Sequence, residues 1–331
     1  MYGRLAAIAL GSRTAIRVLQ KRHVHEVFDR KLKRLQRERA ARNFDEGYYF
    51  LHKEVANRLC ERLQDIPRAL ETALDVGCGY GHVRAALSDF PGIKRVVETD
   101  ISESCVRTTL DRCQSLSDGI ETIGIVSDEE FLPFQQHSFD MAISCLSMHW
   151  INDLPGFLAQ LNRVLKPDGL FLGAMFGGDS LHELRVCLQL AEEQVHGGVS
   201  PRVSPFVQTS DVGSVLSRGG FKLTTIDTDR FTVKFEDMFQ LLRFLKATGE
   251  NNANCLRGGY FGKKAFQLAS ELYRQQYSDN EGHIFASIHV VYMIGWSPHP
   301  NQQQPKKRGS AQFSLKDLGN VGENTKPNMS P

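Results

Sequence analysis

The chain predicts an α/β fold on a mostly parallel sheet, and three observations predict it. Short apolar strand segments alternate with helical segments from residue 48 onward, the pattern that right-handed strand–helix–strand crossovers produce. A glycine turn, Asp75-Val76-Gly77-Cys78-Gly79-Tyr80-Gly81, follows the first strand and opens a helix. Acidic residues sit at the ends of the next two strands, Asp100 after the second and Asp128-Glu129 just past the third. Open α/β sheets collect ligand-binding groups at these strand ends.

Each element has a local reason. Residues 50–63 carry Leu51, Val55, Leu59 and Leu63 at helical spacing. A short apolar strand over 73–76 leads through the glycine turn into a helix over 82–89. A second strand over 95–99 ends at Asp100. Ser102 caps the next helix, whose inner face carries Cys105, Val106 and Leu110. Strands follow over 122–126 and 139–145. The helix over 154–165 is stopped by Lys166-Pro167-Asp168-Gly169, and a fifth strand runs over 170–175. The core therefore spans 48–176. Beyond it the pattern predicts helices over 181–194, 212–216, 238–245 and 261–277. Strands are expected over 221–227 and 230–235, with a late one over 284–296 rich in β-branched and aromatic residues. These pieces extend the same sheet and cap one end of it, so the domain runs over 48–298. After Pro298 the chain turns polar, and the tail 299–331 reads as disordered.

A chain of 331 residues can bury a large core, and a formal net charge of +2 gives no overall steering toward nucleic acid. No apolar run reaches the roughly 18 residues of a membrane-spanning helix. The seven cysteines are scattered without a C-x-x-C pair, which fits a reducing compartment and argues against a zinc site. The charge is unevenly placed. No Asp or Glu precedes Glu26, while Arg4, Arg13, Arg17, Lys21 and Arg22 lie among Leu5, Ile8, Leu10, Ile16 and Val18. Such a leader, over 1–27, reads as a mitochondrial targeting segment, with a plain basic tail as the alternative. A basic helical arm over 28–47 follows, containing F-D-R-K-L-K-R-L-Q-R-E-R-A-A-R. It reads either as a solvated surface helix or as a docking strip for an acidic partner or anionic lipid headgroups.

The chemistry concentrates at the glycine turn. Gly77, Gly79 and Gly81 let the backbone turn sharply and let a ligand lie against it. Backbone N–H groups at the following helix start then face that ligand. Asp75, in the strand before the turn, can position the turn or a cationic cofactor. Asp100 can accept from both ribose hydroxyls, although alone it is equally well a helix cap. Ser127-Asp128-Glu129 lies where an adenine would sit. The dinucleotide fingerprint needs a glycine where His82 stands, so a pyrophosphate fits less well. A carboxylate beside the turn suits a sulfonium and an amino-acid ammonium better.

These residues resemble a family. L-D-V-G-C-G-Y-G, E-T-D-I, D-E-E-F-L-P-F, F-D-M-A-I-S and L-K-P-D-G look like the successive motifs of class I S-adenosylmethionine-dependent methyltransferases. The resemblance implies a Rossmann-like fold with a mostly parallel seven-stranded sheet, helices on both faces and a C-terminal antiparallel strand. The strings F-D-R-K-L-K-R-L-Q-R, S-C-L-S-M-H-W-I-N-D-L-P, G-A-M-F-G-G-D-S-L-H-E-L-R and V-V-Y-M-I-G-W are similar to the mitochondrial complex I assembly factor five family. Those are arginine-hydroxylase assembly factors of NADH:ubiquinone oxidoreductase. The resemblance implies S-adenosylmethionine as the bound cofactor. It implies hydroxylation of an arginine of the iron–sulfur subunit 7 of complex I during early assembly. It also implies other assembly factors as partners and peripheral association with the matrix face of the inner membrane. Carried over by position, the cofactor residues are Asp75, Gly77, Cys78, Gly79, Gly81, Asp100, Asp128, Glu129 and Ser144, with the stretch 144–150 facing donor and substrate.

Hydroxylation needs activated oxygen, and the usual non-haem iron triad is two His and one carboxylate. The sequence contains no H-x-D, and helix-surface chemistry explains His52-Lys53-Glu54 better than iron does. No metal ligands are assigned, and the oxygen chemistry rests on the resemblance alone. His149 and Trp150 follow the fourth strand. His149 is either a catalytic base or substrate contact, or a turn cap; Trp150 is an aromatic wall or a packing residue. Gly177-Gly178-Asp179-Ser180 shapes a substrate mouth or caps a helix. Two further functions stand beside arginine hydroxylation. One is methyl transfer to a small-molecule or carrier-linked acid, and the other is a non-catalytic assembly chaperone.

Overall fold

In the computed structural model, which describes residues 26–303, 309 and 310, the alternating segments form seven strands. They are β1 (Thr72–Val76), β2 (Arg95–Asp100), β3 (Glu121–Val126), β4 (Phe139–Cys145), β5 (Leu165–Phe176), β6 (Lys222–Phe235) and β7 (Ile284–Trp296). The sheet order is β3-β2-β1-β4-β5-β7-β6. The first five strands pair in parallel, and β7 runs antiparallel to both β5 and β6. The expected architecture, a mostly parallel seven-stranded sheet closed by an antiparallel late strand, is the one observed.

Nine α-helices are described among these residues: α1 (Arg30–Arg42), α2 (Phe50–Glu61), α3 (His82–Ala86), α4 (Glu103–Cys113), α5 (Leu154–Val164), α6 (His182–His196), α7 (Thr209–Arg218), α8 (Met238–Ala247) and α9 (Gly262–Tyr277). Strand alternation divides the core between the two sheet faces. Ala73, Met141, Ile143 and Leu172 pack beneath α2, α3, α6, α8 and α9. Leu74, Val76, Ala142 and Phe171 pack beneath α5 and α7. Ser102 caps α4 as expected, its Oγ accepting the Cys105 N–H at 3.2 Å.

Three expectations change. The strands expected over 221–227 and 230–235 are one strand, because Thr228 and Asp229 stay in register with Val291 and Val290. An edge strand tolerates outward acids, and Asp227 and Asp229 are both paired: Arg58 of α2 meets Asp229 at 3.0 Å, and Arg62, just past the end of α2, meets Asp227 at 2.7 Å. The stop at Lys166-Pro167-Asp168-Gly169 is an irregular start to β5. Asp168 turns left-handed (φ 62°) and the pairing jumps from Phe139↔Leu165 to Met141↔Leu170. The basic arm is also not a solvated helix. Its helix α1 buries Lys33, Gln36, Arg37, Ala40 and Ala41 against the domain, and the folded unit ends at Pro298. Of the expected targeting segment only Glu26 and Val27 are described, and most of the tail 299–331 likewise lies outside the described residues. Among the described residues no helix is long and apolar enough to cross a membrane.

Candidate functional site

The glycine turn is fastened to the tip of β2. Gly77, Gly79 and Gly81 adopt φ of 76°, 56° and 75°, the left-handed region that penalises a Cβ. The Gly77 and Cys78 N–H groups both donate to the Thr99 carbonyl, at 2.8 and 2.9 Å. The Gly79 N–H donates to Asp100 Oδ2 at 3.1 Å, and the Ser102 N–H donates to Asp100 Oδ1 at 2.9 Å. The fully buried Asp100 thus ties the turn to the start of α4.

Helix α1 closes over this arrangement. Arg37 Nη1 donates to Asp100 Oδ2 at 2.9 Å and its Nη2 donates to Ser147 Oγ at 3.2 Å. Arg30 meets Asp128 at 2.8 Å and also bonds Glu129. The other Glu129 oxygen accepts from Ser147 Oγ at 2.8 Å. Arg30, Lys33 and Arg37 recur at helical spacing and share one helix face. Burial alone would lower the Arg37 pKa, but Asp100 and Glu129 raise it and keep the guanidinium charged.

The residues assigned to the cofactor therefore hold the chain's own arginines. Asp100 is not free for ribose hydroxyls, since two N–H groups and Arg37 use its oxygens. Asp128 and Glu129, expected beside an adenine, bind Arg30. A Cβ on Gly77 would lie 2.2 Å from Ser147 Oγ, whereas nothing approaches within 4 Å over Gly79. The hollow beside the turn, bordered by Arg37, Cys78, Gly79 and Cys105, measures about 40 Å³. That is room for a few waters and not for a nucleoside. As arranged, these residues do not fit an adenosyl group.

Asp75 serves neither turn nor cleft by hydrogen bonding. It stands in register with Glu98 on β2, and both side chains are fully buried. Burial pushes both carboxyls up; the nearby Asp100 adds to the rise at Asp75, and Asp75 adds to the rise at Glu98. Groups that hold protons more tightly when folded stabilise the fold below the ordinary carboxyl range, and that contribution is lost as pH rises through their folded pKa values. Glu98→Gln is accordingly expected to flatten the fall in stability between about pH 5 and about pH 8. Urea unfolding midpoints across that range check this, and parallel slopes for variant and wild type would count against a raised Glu98 pKa.

Ser144 is buried, and its Oγ donates to the Val76 carbonyl at 2.8 Å, bracing β4 to β1. His149 is buried and bonded. Its Nε2 lies 3.0 Å from Glu250 Oε2, which also accepts the Trp150 Nε1–H at 2.8 Å. Burial lowers the His149 pKa against the pull of Glu250, so the neutral ring donates through Nε2 and leaves Nδ1 as an acceptor without a partner. Trp150 packs edge-on to Phe28 at 5.3 Å, and the Lys33 ammonium stands 3.2 Å over its ring.

A larger cavity, about 410 Å³, lies beside the turn. His52, Thr248 and Glu250 border both it and the small hollow. Ser147 lies in the stretch 144–150 expected to face donor and substrate, whereas Arg30, Lys33, Arg37, His52 and Glu250 were not singled out from the sequence as site residues. The spacing of the three α1 cations was a usable signal. Glu250 had none, because it follows α8 and lies about a hundred residues from His149 in the chain.

Comparison with known proteins places this arrangement. The methyltransferase domain family matches residues 74–173. The mouse protein named arginine-hydroxylase NDUFAF5, mitochondrial, is 43% identical over 298 residues, which is 90% of this chain and 85% of that protein. A malonyl-[acyl-carrier protein] O-methyltransferase of Gallionella capsiferriformans is 33% identical over 278 residues, covering 83% of this chain and 93% of the enzyme. A Bacillus halodurans putative methyltransferase structure superposes with a TM-score of 0.52 at 19% identity, over 73% of this chain and 99% of its own. That last likeness concerns the fold. The identity to the hydroxylases is higher than to the carrier-protein methyltransferase and extends over nine-tenths of the chain, so this protein belongs to the mitochondrial arginine-hydroxylase NDUFAF5 family.

Proposed function

We propose that this chain hydroxylates an arginine of the iron–sulfur subunit 7 of mitochondrial complex I, NADH:ubiquinone oxidoreductase, during early assembly. It works peripherally on the matrix face of the inner membrane, alongside other assembly factors. Family membership supports the activity, and the acid-free leader supports the compartment. The observation that carries the choice between hydroxylation and methyl transfer is Arg37 on Asp100. A methyl donor must lie in an oriented, water-free site against its acceptor, and here a guanidinium of the chain bonds the carboxylate expected to hold the donor's ribose. S-adenosylmethionine reaches Asp100 only after α1 leaves.

The test is mass spectrometry of the iron–sulfur subunit from cells with and without this protein. The reading expects the target arginine to be lighter by one oxygen when the protein is missing. An unchanged arginine, together with loss of a methyl group elsewhere, would favour transfer to a carrier-linked acid. The same comparison with no change in either mass would favour a non-catalytic chaperone.

A further inference from the structure

We propose that the 410 Å³ cavity is the receptor for the target arginine side chain, with the guanidinium on Glu250 and the aliphatic stem along the aromatic wall. The proposal rests on the arginine-hydroxylase reading and adds the place and the recognition chemistry. The cavity lies within the roughly 300–1,000 Å³ of ordinary ligand sites, and such sites pair apolar walls with a few placed polar groups. Phe176, Leu184, Phe206, Phe244, Leu245 and Phe261 line it. His52, Thr248 and Glu250 border both this cavity and the hollow beside the glycine turn, so a ligand anchored there ends next to the strand tips of the sheet.

Glu250 is the anchor. Its side chain is 7% exposed. Oε2 accepts from His149 and Trp150, and Oε1 has no hydrogen-bond partner among the described residues. The two lysine and arginine cations that act on it, Lys33 and Arg37, hydrogen-bond elsewhere. Lys33 Nζ donates to the Gly249 and Asn251 carbonyls at 2.9 and 3.0 Å, and Arg37 bonds Asp100 and Ser147. Burial lowers the His149 pKa while its bond to Glu250 raises it, and His149 engages Oε2 only. Burial alone would push Glu250 up, but the hydrogen bond from His149 and attraction to His149, Lys33 and Arg37 hold it down and ionised. A buried carboxylate with one oxygen left unbonded is costly to keep, and a ligand guanidinium donating to Oε1 removes that cost.

The walls favour guanidinium over ammonium. Arginine carries a weakly hydrated planar cation that stacks on aromatic faces, and its long stem buries on apolar surface. Two wall cations are neutralised in place, Arg202 by Glu192 at 2.5 Å and Arg257 by Asp29 at 3.4 Å. Lys246 borders the cavity but is exposed, so solvent screens its charge.

The test uses the full chain and two peptides spanning the target arginine of the iron–sulfur subunit. One carries arginine and the other carries citrulline, its neutral isostere, and binding is read by calorimetry. The arginine peptide is expected to bind at least about tenfold more tightly. In Glu250→Gln, which keeps an acceptor for His149 and Trp150, that preference is expected to vanish. Equal binding of the two peptides by the wild type, a measurement that needs no variant, overturns the proposal. So does tighter binding of malonate than of the arginine peptide, or undiminished preference in Glu250→Gln. If knockout cells keep a hydroxylated subunit while the Glu250-dependent preference persists, the functional reading fails and the receptor stands. If hydroxylation is lost on knockout but Glu250→Gln restores it fully, the receptor fails and the function stands.

Discussion

Arg37→Ala is expected to cost about 3–5 kcal/mol of folding stability, the usual penalty for leaving one member of a buried ion pair alone. Asp100 has no exposed surface, and Arg37 is the cation that bonds it. Two N–H groups would still hold the carboxylate, but they do not neutralise it. The loss should shrink when Asp100→Asn is combined with it, since the neutral amide no longer needs a cation. Urea unfolding of the two single variants and the double variant measures this coupling. Strictly additive losses would mean that the guanidinium merely lies beside the carboxylate. The effect reaches beyond Asp100, because Arg37 also bonds Ser147, which bonds Glu129, which holds Arg30. Helix α1 is seated by this chain, and its loosening should appear as faster amide exchange over Arg30–Arg42.

The turn itself supplies the second large effect. Gly77→Ala combines a left-handed backbone, worth about 1–2 kcal/mol against any residue with a Cβ, with a collision at 2.2 Å from Ser147 Oγ. Ser147 cannot step aside without disturbing both Arg37 and Glu129. Overpacking of this kind adds about 1–3 kcal/mol. Gly79→Ala carries the backbone cost alone, since nothing lies within 4 Å of its added Cβ. Thermal melts of the two variants should therefore separate clearly, with Gly77→Ala the less stable. Equal melting temperatures would contradict the close packing of Ser147 on the turn.

Much of the sheet was legible because its signals are local. The run 73–76, the glycines after it and the Ser102 cap each depend on residues a few positions apart. The break expected at Thr228 and Asp229 misled, because what carries the strand through it is pairing with β7, and the arginines that meet Asp227 and Asp229 are distant in the chain. The basic arm misled more. Charge on a helix ordinarily signals water, and Lys31, Arg34, Arg39 and Arg42 do stay exposed, but Arg30, Lys33 and Arg37 turn inward, where acids at the ends of β2 and β3 meet Arg37 and Arg30. Asp100 was recognised as a ligand-binding acid by position; its ligand in the fold is an arginine of the same chain. Glu250, the anchor of the larger cavity, joins the site only through a long-range contact that no spacing announces.

The most direct measurement titrates S-adenosylhomocysteine, the demethylated analogue, into the wild type and into Arg37→Ala under conditions where both are folded. With α1 seated, Asp100 is already bonded to Arg37; with Arg37 gone, ribose hydroxyls can take its place. Binding at least about tenfold tighter to the variant is the predicted result, a difference of about 1.4 kcal/mol. Wild-type binding as tight as that of the variant would show that the helix does not close the cleft.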